Sequence, residues 1–214
     1  MANKESSIAY ENLNRRIFPG AGEYGIPRLE AETFDGNCEF VGFNYARGNC
    51  RNPEKKAVHF FIDDYQFDAL WRNVDRYVDK LRQFQYVLTP DFSTYTDFPK
   101  AIQIYNHYRK HWVGAYLQEY GCQVIPTISW STPESYAWCF DGEPKGGTLA
   151  VSSVGCMNSA EKRSLFLSGY AAMVERLHPA TIIFYGSVPE ECKGNIVRVR
   201  AFSDKFKEAV CDGW

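Results

Sequence analysis

The chain has 214 residues, of which 45% are hydrophobic, so one large domain or two small ones with a sizeable core can form. The formal net charge of −2 argues against a protein that coats nucleic acid through a global basic field. No apolar stretch approaches the roughly 20 residues that span a bilayer, and the polar first residues show no signal-peptide pattern, so membrane and secreted proteins are disfavoured.

Residues 1–35 show no regular hydrophobic period. The stretch 18–27 is dense in glycine and proline, which set turns and interrupt helices. We therefore predict an ordered arm that lies over the domain. Neither a linker nor a change in composition divides the rest of the chain. Residues 1–214 are accordingly predicted to form a single α/β domain, with residues 1–35 as its N-terminal arm.

Short apolar runs that end in polar residues alternate with helical patterns along the rest of the chain. Strands are predicted at 39–44, 59–64, 86–91, 123–129, 148–153, 181–185 and 195–200. Helices are predicted at 67–84 and 98–120, in a short stretch after Thr132, from Asn158 or Ser159 to Leu177, and after Ser203. Strands that alternate with helices indicate a parallel sheet.

The βα unit recurs about every 30 residues, which is the period of barrels and of doubly wound sheets. About seven strands in this length fall short of the usual eight-stranded barrel of about 250 residues. The predicted fold is therefore α/β, with a compact or incomplete (β/α) barrel-like parallel sheet. An open doubly wound sheet is the alternative.

Parallel sheets bind ligands outside the carboxyl ends of their strands, where the predicted strands turn polar. The residues expected to meet at this edge are Asn44, Asp64, Asp91, Ser129, Trp130, Ser153 and Tyr185. Asp64 and Asp91 are a candidate acid/base pair, because one carboxylate raises the pKa of another. Their oxygens also suit Mg²⁺ or Mn²⁺. Capping of the following helices is the structural alternative, and either Asp63 or Asp64 can be the one that faces the pocket.

The other candidates are a proton donor and a set of ligand-binding residues. Tyr185 is the candidate proton donor, and Trp130 offers a face on which a base or sugar can stack. Arg47 and Arg51 belong to a basic segment that suits phosphate groups. Arg198 shares a predicted strand with an arginine two residues later, and we expect only one of the two to face the site.

Three of the histidines and the cysteines are interpreted as structural. His107 and His111 are four residues apart on a predicted helix without a zinc-protease motif, so we interpret them as its polar flank. His59 begins its predicted strand, at the far end from the expected site. The seven cysteines are widely spaced with no Cys-x-x-Cys pair, which indicates reduced thiols in a cytoplasmic protein.

Five segments resemble those of a known protein family. They are VHFFIDDYQF at 58–67, YVLTPDFS at 86–93, IPTISWS at 125–131, CFDG at 139–142 and AVSSVG at 150–155. The chain resembles an uncharacterised domain-of-unknown-function family of bacterial, prophage and phage proteins over about residues 25–197. The resemblance implies a phage or prophage protein in the cytoplasm of a bacterial host cell. It implies no particular activity.

The function predicted from these observations is that of an enzyme. It would act on a small phosphorylated or nucleotide-like ligand at the carboxyl-end mouth of a β/α barrel, through the strand-end carboxylates. One alternative is a non-catalytic phage or prophage protein that sequesters a nucleotide signal or a host protein. Another is a nucleic-acid-processing protein, which the charge balance disfavours. No membrane partner is expected.

Overall fold

The computed structural model describes residues 10–201. The strands in this range are β1 (Gly20–Ala21), β2 (Ile26–Pro27), β3 (Glu39–Gly42), β4 (Lys56–His59), β5 (Tyr86–Leu88), β6 (Val124–Ile125), β7 (Thr148–Ser152), β8 (Thr181–Tyr185) and β9 (Ile196–Val199). The α-helices are α1 (Phe43–Ala46), α2 (Asp68–Arg72), α3 (Asp75–Leu81), α4 (Lys100–Glu119) and α5 (Ala160–Leu177). The helix predicted after Ser203 lies outside the described residues.

Seven strands from β3 onwards run parallel, in two sheets that follow chain order. One sheet has the order β3-β4-β5-β6 and the other β7-β8-β9. A parallel bridge between Thr127 and Ala150 connects them. A doubly wound sheet requires a reversal of strand order, and the described strands contain none. Over residues 10–201, β3 and β9 do not pair, so the sheet is not a closed barrel.

The core lies on both faces of the strands. In β8, Ile183 belongs to a large hydrophobic cluster shared with β3–β6, whereas Ile182 and Phe184 belong to a second cluster against α5. Ala150 of β7 likewise lies in the first cluster. Successive strand residues point to opposite faces, so both faces are covered, as in other parallel sheets.

Helix α4 is buried between the sheet and the N-terminal arm. Most of its residues from 106 to 117 are buried. Phe18 of the arm packs against Trp112 with ring centroids 5.8 Å apart, and Trp112 Nε1–H donates to the Arg16 carbonyl at 2.9 Å. The short strands β1 and β2 pair antiparallel within the same arm. Among the described helices, none combines the length and apolar character needed to cross a bilayer.

Several predicted strands are shorter in the structure, one is displaced, and one predicted helix is divided. The helix predicted at 67–84 is divided into α2 and α3, because Asn73 adopts non-helical dihedral angles (φ −151°, ψ 72°). Asparagine does this readily, since its side chain competes for nearby backbone groups. The strand predicted at 59–64 instead occupies Lys56–His59. The prediction that His59 begins its strand is therefore wrong: it ends the strand, at the carboxyl edge.

Two of the predicted helix starts have different outcomes. Thr132 precedes a 3₁₀ turn at Pro133–Ala137 and makes no side-chain capping bond. Ser159 begins α5 as predicted, and its hydroxyl accepts a hydrogen bond from the Lys162 backbone N–H at 3.2 Å.

Candidate functional site

Two of the predicted carboxylates lie close together at the carboxyl edge of the first sheet. Asp64 begins the turn after β4, and Asp91 lies in the loop after β5. The Asp64 carboxylate accepts hydrogen bonds from the Ser93 backbone N–H at 3.1 Å and the Ser93 hydroxyl at 2.9 Å. Asp64 therefore ties the two loops together. The neighbouring Asp63 is exposed, whereas Asp64 is half-buried.

Asp91 is the carboxylate with the unusual electrostatic environment. Its side chain is half-buried, and no described residue donates a hydrogen bond to it. Burial raises the pKa of Asp91 to about 7, while the positive charge of Lys110 opposes this rise and the negative charge of Asp64 adds to it. A carboxyl group with this pKa gains and loses its proton near neutral pH, which suits a general acid or base.

Lys110 belongs to a fully buried charge cluster inside the fold. Its ammonium group donates to the Thr127 carbonyl at 2.8 Å and to Glu143 Oε1 at 2.8 Å. His111 Nε2 contacts the same oxygen at 2.9 Å. Burial pushes the pKa of Glu143 upward, but the charges and hydrogen bonds of His111 and Lys110 outweigh it and hold this pKa below its ordinary value. The buried charges thus compensate one another.

A tight turn at Gly142 brings Glu143 against α4. Gly142 has φ +77°, and a Cβ there would lie 2.5 Å from the Pro27 carbonyl oxygen and 2.8 Å from His111 Nδ1. Only glycine fits this position, because it has no side chain and accepts positive φ. His111 Nδ1–H donates to the Pro27 carbonyl at 2.8 Å, since a carbonyl oxygen can only accept.

His107 lies one helical turn before His111 and is also buried. Its Nε2–H donates to the Asp141 carbonyl at 3.1 Å. Burial, and then the charges of His111 and Lys110, lower the pKa of His107 well below its ordinary value, so its ring is neutral. His107, His111 and Glu143 offer possible metal-ligand atoms within 4.8 Å of one another. The prediction that the two histidines form a polar flank is wrong, because both are buried.

A groove of about 610 Å³ opens between β3 and β9. The lining residues that matter here are Asn44, His59, Phe61, Tyr185, Arg198 and Arg200. The rings of Phe61 and Tyr185 stack with centroids 4.8 Å apart, and the His59 ring lies 4.8 Å from that of Tyr185. Among residues 10–201, two arginines line the groove and no aspartate or glutamate does. Such a lining suits an anionic ligand with a planar ring.

The predicted ligand-binding residues of the N-terminal half divide into two groups. Asn44 lines the groove from α1, just after β3, and its Oδ1 is buried with no hydrogen-bond partner among residues 10–201. Arg47 and Arg51 are exposed and lie outside the groove. Arg198 of β9 lines the groove together with Arg200, because residues two apart on an extended chain point to the same face. The prediction that only one of the two faces the site is therefore wrong.

Three predicted residues of the C-terminal half lie outside the groove. The Trp130 ring packs 5.4 Å from that of Phe166 on α5 and fills the space beside Gly169. The Ser153 hydroxyl donates to the Ser187 carbonyl at 2.7 Å, which ties the loops after β7 and β8 together. Ser129 is half-buried in the segment that links the two sheets.

The buried cluster is the feature that the sequence interpretation missed. His107, Lys110, His111 and Gly114 follow the i, i+3, i+4, i+7 spacing of one helix face. The remaining positions of the helix are largely aromatic or apolar. A helix with apolar residues around most of its circumference is buried on all sides, so its single polar stripe had to lie inside the fold. Glu143 gives no comparable signal, because only the folded turn brings it to this stripe.

Comparisons with known proteins place the chain in a family. Residues 18–203 match the family described as "Domain of unknown function (DUF4417)". The chain is 35% identical over 215 residues to the "Gene 1 protein" of Mycobacterium phage D29, covering 96% of this chain and 77% of the phage protein. It is 44% identical over 181 residues to the "Gene 1 protein" of Mycobacterium phage L5, covering 84% and 79% respectively. No solved structure matches it significantly. The predicted resemblance is confirmed: the chain belongs to the DUF4417 family of domains of unknown function and is similar to phage proteins.

Proposed function

We propose that this protein is an enzyme that moves a proton to or from a small phosphorylated, nucleotide-like ligand. In this proposal the seven parallel strands form an incomplete barrel-like sheet whose carboxyl edge carries the reaction. Asp91 is the general acid or base, and Asp64 fixes the loop that carries it. Similarity to two phage proteins favours the cytoplasm of a bacterial host as the place of action.

The observation that carries this proposal is the environment of Asp91. Burial raises its pKa to about 7, and none of the described residues donates a hydrogen bond to its carboxylate. An aspartate that only capped a helix would be expected to accept hydrogen bonds from the backbone, as Asp64 does from Ser93. A carboxyl group that is poised near neutral pH and left unbonded suits proton transfer to a ligand.

The groove between β3 and β9 supports the choice of ligand. The stacked rings of Phe61 and Tyr185 offer an aromatic face for a base, and Arg198 and Arg200 supply positive charge for phosphate. The groove and Asp91 lie on neighbouring loops of the same edge. Gln66, which lines the groove, belongs to the same turn as Asp64.

The test is turnover of nucleoside mono-, di- and triphosphates by the full chain, followed by mass spectrometry of the products. We expect Asp91→Asn to lower kcat at least 100-fold, the lower range for general acid–base catalysis, while binding of the same nucleotide persists. Asp63→Asn is the matched control, because Asp63 is exposed and lies outside the groove lining. Equal turnover by Asp91→Asn and the parent chain would overturn the proposal.

A second candidate function is sequestration of a nucleotide signal without catalysis. The observation that favours it is the groove itself, whose lining by the described part of the chain contains aromatic rings and arginines but no carboxylate. Such a groove can hold an anionic nucleotide without performing acid–base chemistry on it.

Recovery of the intact nucleotide after incubation would favour this second function. Arg198→Ala should then weaken nucleotide binding about 10-fold, a loss typical of one charge-assisted hydrogen bond. Arg47→Ala is the matched control, because Arg47 is exposed outside the groove. A similar affinity loss in both variants would count against the groove as the binding site.

A further inference from the structure

We propose that His107, His111 and Glu143 form a buried binding site for a divalent transition-metal ion, with Zn²⁺ as the best fit. This site is separate from the proton transfer proposed at Asp91. Two imidazoles and one carboxylate are a donor set that Zn²⁺ uses in proteins. Their possible ligand atoms already lie within 4.8 Å of one another.

Both imidazole rings are already oriented as metal ligands usually are. Histidine ligands commonly donate their second ring N–H to a backbone carbonyl or carboxylate, which fixes the tautomer and the ring direction. His107 Nε2–H donates to the Asp141 carbonyl at 3.1 Å, and His111 Nδ1–H donates to the Pro27 carbonyl at 2.8 Å. His107 Nδ1 is therefore left for an ion, whereas His111 Nε2 lies 2.9 Å from Glu143 Oε1. An ion bound to His111 Nε2 would displace this contact and its proton.

Glu143 supplies the independent observation that points to an ion. Lys110 holds its Oε1 at 2.8 Å, but its Oε2 is buried and has no hydrogen-bond partner among the described residues. A buried carboxylate oxygen without a partner is costly. A cation bound to Oε2 would remove this cost, while Lys110 stays on the other oxygen.

Zn²⁺ binding requires the side chains to rearrange from positions in which their ligand atoms lie within 4.8 Å of one another. Zn–N and Zn–O bonds of about 2.0–2.1 Å place neighbouring ligand atoms about 3.3 Å apart in a tetrahedral site. His111 Nε2 lies 2.9 Å from Glu143 Oε1, the oxygen that Lys110 also holds, so the carboxylate must turn to bring Oε2 to the ion. Gly142 keeps the turn close to α4, since a Cβ there would lie 2.8 Å from His111 Nδ1. The adjacent Lys110 charge repels a cation, so we expect binding weaker than at a site without it.

Cobalt substitution tests the site in the full chain. Metal-free protein titrated with Co²⁺ should bind one equivalent and develop visible d–d absorption without a thiolate-to-cobalt charge-transfer band. Zn²⁺ should then abolish the d–d absorption by displacing Co²⁺. The absence of the thiolate band is decisive because the chain has seven cysteines that can also bind these ions. A strong thiolate band, or no cobalt binding to the folded protein, would overturn the proposal.

A variant pair assigns the ligands. His107→Gln should lower the affinity for Co²⁺ and Zn²⁺ at least 10-fold, since it removes one of three protein ligands. His178→Asn is the control, because His178 belongs to no metal-ligand cluster among the described residues. His178 caps the end of α5 with φ 47°, a backbone conformation that asparagine accepts. Unchanged affinity in folded His107→Gln would contradict the assignment of this ligand. If the variant does not fold, the cobalt spectrum of the parent chain decides whether the site exists.

Discussion

At the scale of single residues, the Lys110 ammonium group is buried inside the protein and donates hydrogen bonds to two oxygens. One of those oxygens belongs to Glu143, and both side chains are at most 1% exposed. Removing one partner of such a pair is far more costly than removing an exposed ion pair, because the remaining charge stays buried.

We expect Lys110→Met to lower the free energy of unfolding by about 3 kcal/mol. The substitution leaves the Thr127 carbonyl without its donor and leaves Glu143 with His111 as its remaining partner. Urea denaturation measures the loss. The pKa of Asp91 should also rise further, because Lys110 opposes its rise, and a ¹³C NMR titration of the Asp91 carboxyl group measures this change.

The matched control for Lys110→Met is Arg163→Met. One guanidinium nitrogen of Arg163 donates to both carboxylate oxygens of Glu191, at 2.7 and 2.8 Å, but both residues lie at the surface. Solvent screens such pairs, so the urea midpoint should not change measurably. Equal shifts in the two variants would show that burial does not determine the strength of the Lys110 pair.

The raised pKa of Asp91 also predicts how stability depends on pH. An unfolded aspartate titrates near 3.9, whereas native Asp91 titrates at about 7. Between these values the native protein retains a proton that the unfolded chain has lost. The contribution of Asp91 to the free energy of unfolding therefore falls as pH rises from about 4 to about 7, and it is constant above that range.

Asp91→Asn should remove this dependence. Relative to the parent chain, the variant should gain stability on the order of 2 kcal/mol between about pH 4 and about pH 8, a figure reduced for the partial exposure of Asp91. Urea denaturation at both pH values measures the gain. Stability curves that stay parallel across this range would contradict a raised pKa at Asp91.

At the scale of secondary-structure elements, α5 depends on a glycine where it meets the segment after β6. A Cβ at Gly169 would lie 2.1 Å from Trp130 Nε1, so the indole occupies the space that a side chain would need. We expect Gly169→Ala to destabilise the protein by about 2 kcal/mol through overpacking, although alanine is the better helix former. Thermal or urea denaturation measures the change.

A double variant tests this explanation. Phenylalanine has a smaller ring than tryptophan, so Trp130→Phe makes room for the added methyl group. The double variant should therefore lose less stability than the sum of the losses in Gly169→Ala and Trp130→Phe. Additive losses would place the cost of Gly169→Ala elsewhere in the helix.

The elements also show which features a sequence can predict. The helix predicted at 98–120 is α4 at Lys100–Glu119, and the strand predicted at 181–185 is β8, because both carry an uninterrupted hydrophobic period. The strand predicted at 59–64 is displaced: ladder pairing covers Lys56–His59, whereas the apolar run continues past His59. The hydrophobic pattern reports burial, and burial continues beyond the end of the strand.

The candidate site was likewise predictable only where a regular pattern or a topological rule applies. The proximity of Asp64 and Asp91 follows from one topological rule, that parallel strands bring their carboxyl ends together. The link between Glu143 and Lys110 follows no such rule, because it depends on the backbone turn at Gly142 and on a close approach to Pro27. Contacts made by irregular segments carry no periodic signal in the sequence.

At the scale of the whole molecule, the two hydrophobic clusters share strands β7 and β8. We therefore expect one cooperative unfolding transition. Cys122 lies in the first cluster and Cys139 in the second. Burial raises their pKa values to about 11 and about 12, so neither thiol reacts readily in the native protein.

Pulsed thiol labelling at increasing urea tests this expectation. Cys122 and Cys139 should become reactive at the same urea concentration, which must coincide with the midpoint seen by circular dichroism. Two separate labelling midpoints would show that the two clusters unfold independently.

Helix α4 contacts both the loop after β5, which carries Asp91, and the buried charges of the protein interior. Asn106 donates to the Ser93 carbonyl, and the Arg109 guanidinium lies 3.7 Å from the centre of the Phe92 ring. One turn of the helix therefore makes both a hydrogen bond and a cation–π contact with this loop. The next position, Lys110, holds the buried charges. We therefore expect a ligand that displaces this loop to strain the helix and shift the Lys110 ammonium group, which would couple binding at the loop to the buried charges.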